Sequence, residues 1–546
     1  MNRIKTVILL VISIFSITLY AQPLPPTTPS GLRVGTSAGT FTGNVSTDWG
    51  TAGNWAGGSV PTSSIDVTIA DGKNAVIGSE ATAYCNGLTI ESGSSLTIES
   101  SATGTGSLIV SGTVNGDATV ERYMTSGAWH IISSPTPGQT VGAFLTASTT
   151  IKANPNAGYE TYRALKDYNE SGNIWNGLTY TTASADLMSI GKGYAVWPAS
   201  DGVVSFSGTL SQGDKTATVA RAGYGWNCIG NPYSSAIAIN TAAGTSNFIN
   251  VNSDNLDPSF GAIYVWNQSG SSYSVFSLSD ETAYYLPVGQ GFFVKVKTGA
   301  SQVSFTSATQ QHQPTATFRS TVAESPAITL SASMNGKQST ATLRFSDNAT
   351  TGLDFGYDAG IFKTGFDIYT KLVEDNGVDF AIQCLPSDPG NGFVMPVGLD
   401  ATESGEVEFT IKAVNLLEGY QLAFEDTVNN QSYDLAEGNK TMTFNVTSGT
   451  TLNRFYINMS KSPTGMENTV KRLIVTSSKG KIIVWGEVKT GSTALLYDLQ
   501  GRCLTGIQLN AGAVNCIPTT GIREGVYLLR LNQQGTTDTR KIAIND

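Results

Sequence analysis

Two kinds of side chain in this sequence could do chemistry at a surface: indole rings, which stack on sugar faces, and carboxylates, which gather a cation. Four tryptophans, Trp129, Trp197, Trp226 and Trp266, fall in the middle of the chain. Trp266 stands beside the polar turn Asn267-Gln268-Ser269-Gly270 and is the best placed of the four for exposure. Aromatics also favour strands and hairpin packing, and repetition at equivalent places favours that structural role. The carboxylates gather as Asp354 and Asp358 in DFGYD, and as Glu374, Asp375 and Asp379 in EDNGVD. Oxygen-rich loops of this kind suit calcium, the one cofactor the sequence suggests, although the spacing does not match an EF-hand loop. SDNLD, Ser253 to Asp257, is an equal second locus. Polar turns in a glycine-rich exported chain also produce such clusters without a metal.

Catalysis has little to stand on. The only histidines are His130 and His312, and where the first repeat has His130 the second has Asn227. GTSAG, Gly35 to Gly39, matches the GxSxG pattern in letters alone, because no strand precedes it and no helix comes after to make a nucleophile elbow. A glycosidase carboxylate pair is defined by separation across a cleft, which spacing along the chain does not reveal. The expectation is therefore a chain without catalytic residues. Five cysteines, Cys85, Cys228, Cys384, Cys503 and Cys516, form neither a CxxC pair nor a metal-ligand pattern. Cys503 and Cys516 are close enough to face each other across a hairpin as a disulfide; the others read as small buried hydrophobes.

The elements that must carry these residues are β-strands. Of 546 residues 40% are apolar and only 14% charged, with 59 glycines. That mixture suits short strands joined by polar turns, and a net charge of −10 argues against a nucleic-acid partner. MNRIKTVILLVISIFSITLYAQ has the basic start, apolar run and small-residue end of a secretory signal peptide, cut after Ala21. No later segment is long and apolar enough to span a membrane as a helix. A Pro/Gly/Thr-rich leader occupies 22–39. Over 40–122, Leu88 and Ile90, Leu96 and Ile98, and Leu108 and Val110 alternate with polar residues between glycine turns, the rhythm of a short β-solenoid. A sandwich built of hairpins is the alternative.

A duplication organises the middle of the chain. GAWHIISSP from Gly127 resembles GWNCIGNPY from Gly225, GKGYAVW from Gly191 resembles GQGFFVK from Gly289, and VSFSG from Val204 resembles VSFTS from Val303. Two copies of one β-rich module, 123–220 and 221–320, are expected. Residues 325–463, with an Asn335-Gly336 hairpin turn, read as a β-sandwich. The chain restarts after Lys461-Ser462-Pro463 with strands of about five residues, and YDLQGR, GVYLLRL and RKIAI come in that order.

These last motifs resemble the type A C-terminal sorting domain of the Bacteroidota type IX secretion system, over residues 466–546. The resemblance implies an Ig-like β-sandwich in which Tyr497, Asp498, Gly501, Arg502, Gly525 and Tyr527 carry the motif. It implies the Sec and type IX machineries as partners, attachment to surface lipopolysaccharide or release, and an extracellular or outer-membrane location. Expected overall is an all-β, multidomain exported protein for adhesion or for glycan or matrix binding. An extracellular polysaccharide-acting enzyme and a structural surface scaffold stay open as alternatives.

Overall fold

Short alternating strands cannot bury a core one at a time, so the chain stacks them. The computed structural model describes residues 37–313, 327–461 and 474–544, apart from 269–270, 281, 373–376, 391, 416, 430, 436–437, 479, 486–487 and 512–514. The signal peptide and most of the leader lie outside the described residues. The first domain is a genuine β-solenoid of parallel ladders. Thr40–Phe41, Val67–Ile69, Leu88–Ile90 and Val114–Asn115 form one wall. Asn74–Ile77, Ser95–Ile98 and Ala118–Met124 form the second, and Thr82–Cys85 with Ser107–Val110 the third. In-register stacking puts Ile69 on Ile90, Ile77 on Ile98 and Cys85 on Val110, and all six are buried. Each rung thus covers the next.

The ends of this stack need covers. At the first rung Trp49 and Trp55 meet edge to face at 4.8 Å, and Trp55 Nε1 donates to Trp49 O at 2.8 Å. Fully buried Asn54 staples that loop: its Oδ1 accepts from Val45 N and Ser46 N, and its Nδ2 donates to Asp48 O. At the other end the last rung, Ala118–Met124, pairs antiparallel with Gly202–Gly208 along its whole length. The VSFSG motif therefore closes the solenoid from within the next segment.

The next two segments, unit A (123–220) and unit B (221–320), build antiparallel sheets with one strand order. Unit A runs His130–Ser133, Gly193–Val196, Leu165–Asn169, Ile174–Trp175; unit B runs Trp226–Gly230, Gly291–Lys295, Ile263–Asn267, Ser272–Phe276. Each first strand leads to a short helix, Val141–Ala147 or Phe248–Val251, capped by the side chain of Thr140 or Asn247. The units meet through reciprocal backbone contacts. Ile132 bridges Gln290 while Ile229 bridges Lys192. Ser133 N donates to Gly289 O and Gly230 N to Gly191 O, both at 3.0 Å.

This contact explains the glycines of GKG and GQG. Gly191 and Gly289 adopt φ of +64° and +68°, which favours glycine. A Cβ on Gly193 would lie 2.5 Å from Cys228 Sγ, and one on Gly291 2.4 Å from Ile131 Cγ2. No side chain fits between the units there.

Residues 327–461 form one eleven-stranded sheet and not the two separate sheets expected. It rolls around a single core, in which Phe409 and Phe444 from one pair of neighbouring strands and Phe424 and Phe455 from another pack within 6.0 Å of one another. The terminal segment has a three-stranded sheet (Ile474–Ser478, Lys481–Trp485, Asn515–Pro518) and a four-stranded one (Cys503–Gln508, Thr493–Tyr497, Gly525–Gln533, Thr536–Ile544) around a shared core, a sandwich-like arrangement. Cys503 and Cys516 are both free and sit in different sheets, so they are not opposed across a hairpin. Proximity in sequence did not reveal that the chain changes sheet between them.

The close approach of the two units yields a first prediction. Gly291→Ala is expected to lower stability by about 1–3 kcal/mol, the usual range for overpacking. Gly177→Ala, with open space around it, should be near neutral. Equal melting temperatures for the two variants would show that the contact tolerates more room than its geometry allows.

Candidate functional site

The four candidate tryptophans lie on the two unit sheets, in environments that differ sharply. In unit B, Trp226 sits opposite Lys295 in the ladder and is 6% exposed. Phe362, from the eleven-stranded domain, lies on its ring at 4.1 Å, with Tyr264 at 4.8 Å and Phe260 at 5.5 Å. Phe362 also meets Tyr273 at 4.4 Å and Phe293 at 5.2 Å. Its segment docks as a strand: Ala359 bridges Phe260, Gly360 N donates to Ser259 O at 2.7 Å, and Tyr264 Oη donates to Gly360 O at 2.6 Å. Leu278 N donates to Gly356 O at 2.6 Å on the far side of this strap.

Unit A closes the same place with its own chain. Tyr162 bridges Thr181, Thr182 N donates to Thr161 O at 3.1 Å, and Arg163 N donates to Tyr180 O at 3.1 Å. Its counterpart of Trp226, Trp129, therefore receives no ring from another domain. Trp129 is half-buried and meets half-buried Trp197 edge to face at 5.5 Å. Lys166 Nζ lies 4.9 Å from the Trp129 ring and Lys152 Nζ 5.9 Å from the Trp197 ring. Trp129 and Trp197 are thus brought together, whereas Trp226 is core. Trp266 is half-buried against Tyr273 at 5.2 Å, less open than its polar turn suggests.

The polar turn beside Trp266 has a structural task. Gln268 Nε2 donates to His130 Nδ1 at 2.6 Å, and His130 Nε2 donates to Thr125 O at 2.7 Å. The matching residue of unit A, Glu170, reaches the other way and accepts from Ala222 N and Gly223 N in the segment before unit B's first strand. In unit B the histidine's place is taken by Asn227, which accepts from Ala220 N at 2.9 Å and donates to Ala220 O at 2.8 Å. Burial pushes the His130 pKa down to about 4. The ring is neutral near pH 7 and holds a joint.

The carboxylates do not converge. Asp354 and Asp358 share one turn, where Asp358 accepts from Asp354 N at 2.7 Å and Cys384 N at 2.8 Å, and burial raises its pKa to about 7. Asp379 pairs with Lys363 and Lys371 at 2.5 and 2.7 Å. Glu374 and Asp375 lie outside the described residues. Among the described residues no group of three or more His, Cys, Asp or Glu could hold a metal ion. His312 Nδ1 is 2.7 Å from Ser107 Oγ and its ring packs on Tyr84, at the solenoid wall.

In the terminal domain the motif residues satisfy one another. Asp498 Oδ1 accepts from Gln500 N and Arg502 N at 3.0 and 2.9 Å, and Oδ2 from Arg502 Nε at 2.6 Å. These bonds hold the Asp498 carboxyl below its usual pKa, led by the one from the Arg502 backbone. Gly501 supplies the φ of +79° that the turn requires. Tyr527 Oη donates to Arg523 O at 2.6 Å, against Gly525. Tyr497 leads into the turn from the strand Thr493–Tyr497. Asp498, Gln500, Arg502, Arg523 and Tyr527 line an open groove of about 780 Å³.

The folds and the aromatic faces define a modular all-β protein, a solenoid continued by sheet modules welded edge to edge. The chain belongs to the family described as Domain of unknown function (DUF8693), which matches residues 40–122 and 104–459. No curated protein matches it. Among solved structures it is similar to HBP35 of Porphyromonas gingivalis, at 15% identity over 26% of this chain and 59% of that one, with a TM-score of 0.09. The match thus spans less than two thirds of that protein. It is similar to the BSP domain of a biofilm associated protein at 11% identity, covering 78% of this chain and 92% of that one, TM-score 0.16. A Faecalibacterium prausnitzii β-glucuronidase matches at 9% identity over 78% and 46% of the two chains, TM-score 0.12. Likenesses at such TM-scores carry no functional argument. Among the described residues no helix is long and apolar enough to cross a membrane.

These contacts generate two expectations. Phe362→Ala should cost about 2–3 kcal/mol, less than a fully buried phenylalanine, and should open unit B first. Limited proteolysis cutting elsewhere first would sink the strap's role. The second concerns His130, whose folded pKa lies below its ordinary 6.5, so the unfolded chain takes up the proton first. Its contribution is complete above about pH 6.5 and falls as pH drops toward about 4. Between about pH 7 and pH 5 the chain should lose about 1–2 kcal/mol from this group. His130→Asn, which copies unit B, should flatten that part of the denaturation profile.

Proposed function

We propose that this chain is an exported surface protein without catalytic chemistry, which adheres to glycans or matrix through unit A. The observation that carries the reading is the Trp129–Trp197 pair, half-open where the matching ring of unit B is sealed by Phe362. An edge-to-face indole pair offers a stacking surface for sugar rings. On this reading units A and B are copies of one module, one spent on joining the next domain and one left free. Their common strand order, reciprocal bridges and matched glycines support that descent.

The terminal domain delivers the cargo in this proposal. The Asp498–Arg502 turn and the Gly525–Tyr527 strand make an ordered motif of the kind the type IX sorting resemblance implies. That resemblance also supplies Sec-dependent export, passage through the type IX machinery and lipopolysaccharide attachment or release, and it would put the chain outside the cell or on the outer membrane.

Fractionation with intact-mass analysis of the native protein tests delivery. The expected species starts at Gln22, has lost the terminal domain and sits in the outer-membrane or culture fraction. A periplasmic species still ending at Asp546 would overturn the sorting assignment.

A further inference from the structure

We infer that the Trp129–Trp197 face takes an acidic polysaccharide, one whose sugars carry carboxylates such as uronates. The inference rests on the proposed glycan-binding role of unit A and names its ligand class. Two matching faces in one molecule can be compared position by position. In the ladders Trp226 lies opposite Lys295, and Tyr264 lies opposite Phe293. In unit A Lys166 lies opposite Ala195, so an ammonium replaces the tyrosine and a methyl replaces the phenylalanine. Trp197 occupies the position of Lys295.

The substitutions change what the face can hold. Unit B presents a nearly all-aromatic surface, and it is filled by an aromatic side chain, Phe362. Unit A has Ala195 where unit B has Phe293 and a second indole where unit B has Lys295, and charge borders Trp129. Lys166 and Lys152 stand over the two rings, and neither has a carboxylate partner among the described residues. On the same sheet Lys192 is paired with Asp167 at 3.3 Å. Two uncompensated ammonium groups on a chain of net charge −10 are a local positive spot in a negative field. Apolar sugar faces would lie on the indoles while carboxylates meet the ammoniums, giving charge-assisted bonds stronger than those to hydroxyls. A peptide ligand would need the free strand edge that unit B offers to Gly360, and unit A has closed that edge with Thr181 and Thr182.

The test uses the mature full-length protein with polygalacturonate as probe and dextran as the neutral comparison, by affinity electrophoresis and tryptophan fluorescence. Wild type is expected to bind polygalacturonate at least about tenfold more tightly than dextran, with affinity falling as salt rises. Lys152→Gln with Lys166→Gln should remove about tenfold of that affinity and most of the salt dependence, without altering the melting temperature. Trp129→Ala should abolish binding to both polymers, and Trp266→Ala should leave it intact. The double lysine variant keeps the test open if Trp129→Ala fails to fold. Equal binding of the two polymers, or an unchanged double lysine variant, would overturn the acidic ligand while leaving adhesion standing. No retention of either polymer, together with no adhesion of cells displaying the protein to glycan-coated surfaces, would overturn both.

Discussion

The arrangement depends on one steric constraint, the backbone-to-backbone approach of units A and B. Each unit's first strand lies against the other's glycine turn, and Gly193, Gly230 and Gly291 leave no room for a Cβ. Gly230's would stand 2.3 Å from Ser133 Cβ. Because the contact is reciprocal, it fixes both sheets at once. Arg122 then ties the solenoid to the joint, donating to Val288 O at 2.7 Å from the last rung. The Gln290 amide donates to Ile131 O at 3.1 Å from the other side. Orientation passes in this way from solenoid to unit A to unit B without a flexible linker.

Near-symmetry within a single chain creates two matching faces, and the neighbours decide their fates. Unit B borrows its closing strand from the eleven-stranded domain, so its aromatic face becomes an interior joint. Unit A closes on itself and leaves Trp129 and Trp197 half-buried at the border of the core they pack against. Borrowing welds two domains because the inserted segment contributes both backbone bonds and a half-buried ring. An aromatic residue in this family of sheets therefore has no fixed meaning by type. Trp226, opposite Lys295 in its ladder, and Trp129, one residue ahead of the matching strand, differ in accessibility, and Phe362, more than a hundred residues away in sequence, covers the first.

That distance explains what the sequence could and could not disclose. The solenoid was legible because its signal is local: alternating Leu and Ile at short period specify rungs that stack in register, and Leu88, Leu96 and Leu108 are buried as that rhythm requires. The matched spacing of motifs in units A and B was legible and falls on strands of one order, while descent from one module remains a proposal. The meaning of the glycines was not legible, because it lies in the partner unit. VSFSG read as part of unit A, but its partner is the solenoid's last rung. The strap at Ala359–Phe362 carried no signal, since a short Gly-Ile-Phe stretch in a polar loop says nothing of where it docks. Trp266 looked exposed from its neighbours, yet Tyr273 covers one side of it and the turn itself is used to reach His130. Asn54 escaped notice for a related reason: an asparagine in a glycine-rich loop reads as turn chemistry, and only the fold shows that its side chain satisfies three backbone groups of the 45–48 loop.

Charge is the remaining difference between the aromatic faces of unit B and unit A. A lysine over a ring inside a joint adds modest cation–π attraction, and Lys295 over Phe260 at 3.7 Å does this while burial lowers its pKa. Holding an ammonium there carries a desolvation cost, and Asp257 nearby offsets part of it. Lys152 stands exposed on the matching edge of unit A and needs no such compensation. Ammonium groups left without carboxylate partners at an open aromatic face contribute little to folding, since exposed charges gain little from their surroundings. On the glycan-binding proposal they serve what comes to the face, which would make one half of the near-symmetric pair a joint and the other a binding surface.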